Sequence, residues 1–168
     1  MSLLRREPKL PAELADKIPG HSRKSVPLQF DSGDWLAADP SGLYWFKASG
    51  ENENWPWHEL QQIVWNRETD TLKLDFADPA REPLTWKNPD ATGLKRFGDS
   101  TRIFLNRSQI FTQFASVPSG TKVRVTIRER NDGSRFSEVV AFGSLAPSDE
   151  SFLVALEAEV RDSVGLPA

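Results

Sequence analysis

His58 stands beside Glu59, and an imidazole next to a carboxylate is the smallest unit that could move a proton by general acid-base chemistry. Adjacent side chains on a strand point to opposite faces, however, so Glu59 does not orient His58. The plainer reading is a histidine that bonds a backbone group at a strand end. His21 follows Pro19-Gly20 with no partner nearby in sequence and reads as a solvated loop residue. Two histidines without HExxH spacing give no metal site, and no serine sits in a G-x-S-x-G or S-x-x-K setting. The chain has no cysteine, which removes disulfides, thiolate catalysis, zinc ribbons and iron-sulfur ligation. Asn106-Arg-Ser108 matches a glycosylation triplet, a coincidence expected by chance. The sequence therefore points to a non-enzymatic protein, with no catalytic residue, cofactor or metal expected.

Two groups remain as candidate contact residues. Trp55-Pro-Trp57 puts two indoles on one face of a segment where Pro56 marks a strand edge or start, so the pair is either core or an exposed recognition surface, with His58 beside it. Lys122, Arg124 and Arg128 share strand parity and project from one face. Such a stripe could meet an acidic partner; alternatively it is the wet face of an amphipathic hairpin. Charge is uneven: residues 95–135 carry 9 basic and 3 acidic side chains, whereas 136–168 carry 1 and 6. The whole chain has a net charge of −3, and no aromatic residue interleaves with these cations in sequence, which argues against nucleic acid as a partner.

The elements that must position these groups are mostly short strands. Pro11 to Ile18 reads as a short helix with Leu14 and Ile18 on one face, stopped by Pro19-Gly20. Val26, Leu28 and Phe30 alternate as a strand. Asp39-Pro-Ser-Gly42 has the residue preferences of a type I turn, so Trp35–Ala38 and Leu43–Lys47 form a hairpin. Gln62–Trp65, Thr71–Phe76 and Leu84–Lys87 follow as strands, and Trp35, Trp45, Trp55, Trp57 and Trp65 are expected to fill one core. Asp90 caps a short helix that Gly98 ends. Ile103–Leu105 and Gln109–Phe114 are strand candidates. Lys122–Arg130 and Arg135–Phe142 form a hairpin across Asn131-Asp-Gly133. A closing helix starts at Ser148, with Phe152, Leu153, Leu156, Val160 and Val164 inward and Asp149, Glu150 and Glu157 at its start and outside.

The run Trp35-Leu-Ala-Ala-Asp-Pro-Ser-Gly-Leu-Tyr-Trp45, then Trp55-Pro-Trp-His-Glu-Leu60, Ile63-Val-Trp-Asn66 and Leu72-Lys-Leu74, resembles an uncharacterised actinobacterial protein family. The resemblance continues through Val123–Arg130 and Asp149–Val164. Its first half is similar to the bacterial pleckstrin-homology-like (PH-like) fold, a bent antiparallel sheet closed by a helix, for which 90–97 would serve. Lipid-binding members have a basic first hairpin loop; here Asp31-Ser-Gly-Asp34 stands in that place, and two carboxylates repel phosphate. Phosphoinositide binding is therefore not expected.

The expected fold is α+β: a bent, antiparallel PH-like sheet or partial barrel with a short helix over 25–98, preceded by an arm with a short helix over 1–24. A β-hairpin and C-terminal helix over 99–168 pack with it as one unit. The expected function is a non-catalytic interaction module that contacts a protein partner by a strand edge or groove, or associates with itself. A small-molecule or lipid-headgroup site on the concave side of the sheet is the alternative. No window is long and apolar enough to span a membrane, residues 1–10 lack a signal-peptide core, and the absence of cysteine suits the cytoplasm.

Overall fold

A computed structural model describes residues 6–20 and 24–167. His21 lies outside the described residues. The chain divides into two compact units, residues 1–105 and 106–168. Both are built on antiparallel sheets with helices, so the fold class is α+β.

Unit 1 opens with α1, Ala12–Ala15. Four strands follow as a meander: β1 Val26–Gln29, β2 Trp35–Asp39, β3 Gly42–Phe46 and β4 Asn52–Trp55, paired in that order. A 3-10 turn over Trp57–Glu59 leads into a second meander of β5 Leu60–Asn66, β6 Thr71–Phe76 and β7 Leu84–Lys87. Helix α2, Ala91–Ser108, comes next. Four strands, then three, then a helix is consistent with the PH-like fold that the resemblance implies.

Local chemistry explains the best-defined turn. Asp39 Oδ2 accepts from Ser41 N at 3.0 Å and Ser41 Oγ at 2.6 Å, closing the loop, and a Cβ on Gly42 would run into the Trp55 carbonyl oxygen. The main core joins Leu28, Leu36, Leu43, Trp55, Trp57, Leu74, Trp86 and Phe97. Trp45 packs against it, 5.2 Å edge-on from Trp86 and 6.3 Å from Trp55. The expectation that five tryptophans fill one core needs correction at two of them. Trp35 has the opposite strand parity to Leu36 and lies in a separate cluster with Tyr44, Phe46 and Ile18 on the other face of the first sheet. Trp65, near the end of β5, is 37% exposed.

Unit 2 holds β8 Gln109–Ser116, β9 Lys122–Glu129, β10 Arg135–Ala141 and the helix α3, Glu150–Ser163. The sheet order is β10-β9-β8, so a third strand joins the expected hairpin. Val123, Val125 and Ile127 on β9 are fully buried and cluster with Leu156 and Val160 of α3.

Helix α2 runs straight through Gly98 and takes in Ile103–Leu105, which the sequence offers as a strand. Gly98 is not in the left-handed region where a helix-ending glycine sits, and Leu94, Phe97, Thr101 and Leu105 keep one buried stripe across it. Space is open around a Cβ at Gly98. Gly98→Ala should therefore stabilise unit 1 by about 0.5–1 kcal/mol, the ordinary gain of alanine over glycine within a helix. Urea unfolding followed by tryptophan fluorescence checks this; a loss of stability would mean that the helix stops at Gly98.

Candidate functional site

The structure buries the indole pair. Trp55 and Trp57 are 5% and 3% exposed, so they do not form the recognition surface weighed from the sequence. Pro56 starts a turn rather than an open edge, and that turn folds both rings inward. Trp57 Nε1 donates to the Asp39 carbonyl at 2.8 Å, and its ring lies 5.2 Å from Phe104. His58 sits half-buried in the same turn, while Glu59 reaches outward to Arg81 at 3.3 Å. The neighbouring acid therefore serves an exposed ion pair.

The basic stripe is also reassigned. Lys122 is exposed and donates to Ser116 Oγ at 2.6 Å. Arg124 and Arg128 are 8% and 0% exposed, so neither the wet-face reading nor an open cationic stripe describes them. Arg128 places Nε and Nη2 each 3.2 Å from Glu138 Oε1, and Arg124 Nη2 lies 3.7 Å from the same oxygen. Burial pulls Arg124 below the ordinary arginine value, the Arg128 charge adds to the shift, and Glu138 opposes it. Arg124 and Arg128 share one face of β9, as strand parity dictates, and β9 is a central strand buried on both faces, which no local pattern encodes. Aromatic rings do meet these cations in space, with Phe142 5.6 Å from the Arg124 guanidinium and Phe136 4.0 Å from that of Arg130.

In unit 1 a polar cleft of about 710 Å³ opens beside the β1–β2 turn, lined by Arg6, Asp31, Asp70, Asn88 and Asp90 among others. Asp90 caps α2, accepting from Thr92 N at 2.8 Å and Thr92 Oγ1 at 2.7 Å. Three carboxylates and the Arg6 guanidinium share this cleft, whereas Asp34 is not part of it and accepts from Trp45 Nε1 and Ala48 N, both at 2.9 Å.

Unit 2 carries the arrangement that strand physics singles out. Among the described residues, three open sheets leave six edge strands. Several are short or irregular: β1 is four residues with Pro27 inside it, β4 and β7 are four residues each, and β5 and β8 each carry a register shift at their start, before regular runs of five and six residues. β10 pairs with β9 over seven residues with no shift, and it contains neither proline nor lysine. Phe142 N donates to Lys122 O and Arg130 N to Ser134 O, both at 2.8 Å, which fixes the parity. Even-numbered residues of β10 bond to β9; Ser137, Val139 and Ala141 aim N–H and C=O outward.

Beside that edge lies a groove of about 320 Å³ between β10 and α3. Val139, Leu145, Leu153 and Val154 line it, with Glu150 and Glu157 on the helix. One buried carboxylate holds the connection beside it. Asp149 accepts from Ser119 Oγ at 2.6 Å, Ser119 N at 3.0 Å and Ala146 N at 2.8 Å, tying the β10–α3 connection to the β8–β9 turn. The Ser119 hydroxyl bond leads in holding Asp149 below the usual carboxylate range, against the opposing effect of burial. None of the groove residues was proposed from the sequence as a site. The available signal was the i, i+3, i+4, i+7 set Glu150, Leu153, Val154 and Glu157 facing an unbroken strand.

No protein-family model matches the chain, and no curated protein matches it. Among solved structures, the complex of the FERM and C-terminal domains of Drosophila Merlin is similar, with 10% identity and a TM-score of 0.36. That match covers 49% of this chain and 30% of the other, a likeness too slight to carry an argument. Among the described residues, no helix is long and apolar enough to cross a membrane.

Because its folded value is depressed, Asp149 contributes stability above the unfolded carboxylate pKa, and this is lost as pH falls through the folded one. Unit 2 should therefore weaken below about pH 4, and Asp149→Asn should weaken it at neutral pH while flattening that acid limb. All six tryptophans lie in unit 1, so amide NMR of residues 106–167 is the suitable probe. An unchanged acid limb in the variant would contradict the role given to Asp149.

Proposed function

We propose that this chain is a non-catalytic interaction module that takes up an extended segment of a partner protein as an added strand on β10. The observation that carries this reading is a seven-residue edge without shift, proline or lysine, set beside an apolar groove. Backbone bonds to Ser137, Val139 and Ala141 supply affinity, and the groove accepts the alternate side chains that point toward α3. This deepens the expectation of a strand-edge contact and moves it from Trp55-Pro-Trp57 to unit 2. The headgroup alternative has less support, since the polar cleft in unit 1 sets three carboxylates against the single guanidinium of Arg6.

Selection of a random displayed twelve-residue peptide library on the full chain tests the reading. Selected peptides should slow amide exchange at Ser137, Val139 and Ala141. They should lose at least tenfold in affinity for Val139→Pro, which deletes one outward N–H and leaves the β9 ladder intact. Peptides that protect other segments, bind the folded variant equally well, or fail to emerge at all would overturn it.

A further inference from the structure

The charges around the groove specify the class of segment that fits. Glu150, Leu153, Val154 and Glu157 occupy one face of α3 at i, i+3, i+4 and i+7, so the two carboxylates stand roughly 10 Å apart with apolar side chains between them. Glu157 accepts from Ser137 Oγ, which places that end of the groove against β10. No lysine or arginine lines the groove. The nearby Arg161 is held by Ser137 Oγ at 3.0 Å and the Pro167 carbonyl at 2.7 Å. Residues 136–168 carry 6 acidic side chains against 1 basic.

A strand laid along the outer side of β10 sends every second side chain toward α3, at steps of roughly 6.8 Å. Its central such residue meets Val139, Leu153 and Val154, and its neighbours two positions away come within reach of Glu150 and Glu157. Resting on strand addition at β10, we infer that the occupant is a basic segment of a partner protein with the pattern Lys/Arg-x-apolar-x-Lys/Arg. A second copy of this chain fits poorly. Two β10 strands paired about a two-fold axis would bring both α3 helices to the same sheet face, gathering four carboxylates with no cation lining either groove.

The probes are three peptides that differ only at the flanking positions: acetyl-Thr-Lys-Thr-Val-Thr-Lys-Thr-amide and its Gln and Glu counterparts. Titrated into the full chain by NMR, the Lys peptide should bind at least tenfold tighter than the Gln peptide, and the Glu peptide weakest. Raising ionic strength should narrow the gap. Glu150→Gln should shrink the ratio of Lys-peptide to Gln-peptide affinity, and Glu150→Lys should restore binding of the Glu peptide. Equal affinity of Lys and Gln peptides, both abolished by Val139→Pro, would overturn the charge inference and leave strand addition standing. Failure of all three to perturb β10 amides would overturn both. A dimer in sedimentation that Val139→Pro dissolves would show that a second copy is the occupant.

Discussion

Backbone N–H and C=O groups held in a strand must be hydrogen-bonded, and on the outer side of β10 the described chain supplies no partner. That one constraint orders the rest of the functional account. Natural sheets cover, shorten, bulge or charge their edges because an open edge templates association. Among the described residues, three edges are brief strands, one of them with Pro27, and β5 and β8 each carry a shift at their start, at Gln61 and Ile110. β10, at seven residues, is the longest of these edges to run without a shift, and it preserves the capacity to pair.

Keeping such an edge straight requires support from behind. Val123, Val125 and Ile127 anchor the central strand to Leu156 and Val160, so the sheet is packed against α3. Glu138 on β10 lies within reach of two buried guanidiniums of β9, a charge-assisted lock between edge and centre. Asp149 then fixes the connection that carries Leu145 and Ala146 to the groove rim. Unit 1 spends its aromatic residues differently, on an interior where Trp55, Trp57 and Trp86 meet leucines and Phe97.

Much of this was legible in the residues. Asp39-Pro-Ser-Gly42 announced its hairpin, Asn131-Asp-Gly133 announced another, and the closing helix was visible in the spacing of Leu153, Leu156 and Val160. Parity correctly placed Arg124 and Arg128 on one face. Whether that face met water depended on strands far away in sequence, and no local pattern encodes it. Gly98 misled for a related reason: glycine permits a helix stop, but the buried stripe from Leu94 to Leu105 outweighs a preference of about 1 kcal/mol. The groove escaped because it exists only when β10 and α3 are brought side by side. Glu150 and Glu157 were read as the outside of a helix, and they are; what the sequence withheld is that an open strand edge runs alongside them.

The central claim concerns the free chain, so amide hydrogen exchange along β10 tests it most directly. The account predicts alternation: Phe136, Glu138 and Val140, bonded to β9, exchange slowly, while Ser137, Val139 and Ala141 exchange quickly. Uniform slow exchange across all six would mean that the edge is already covered, and would contradict the account.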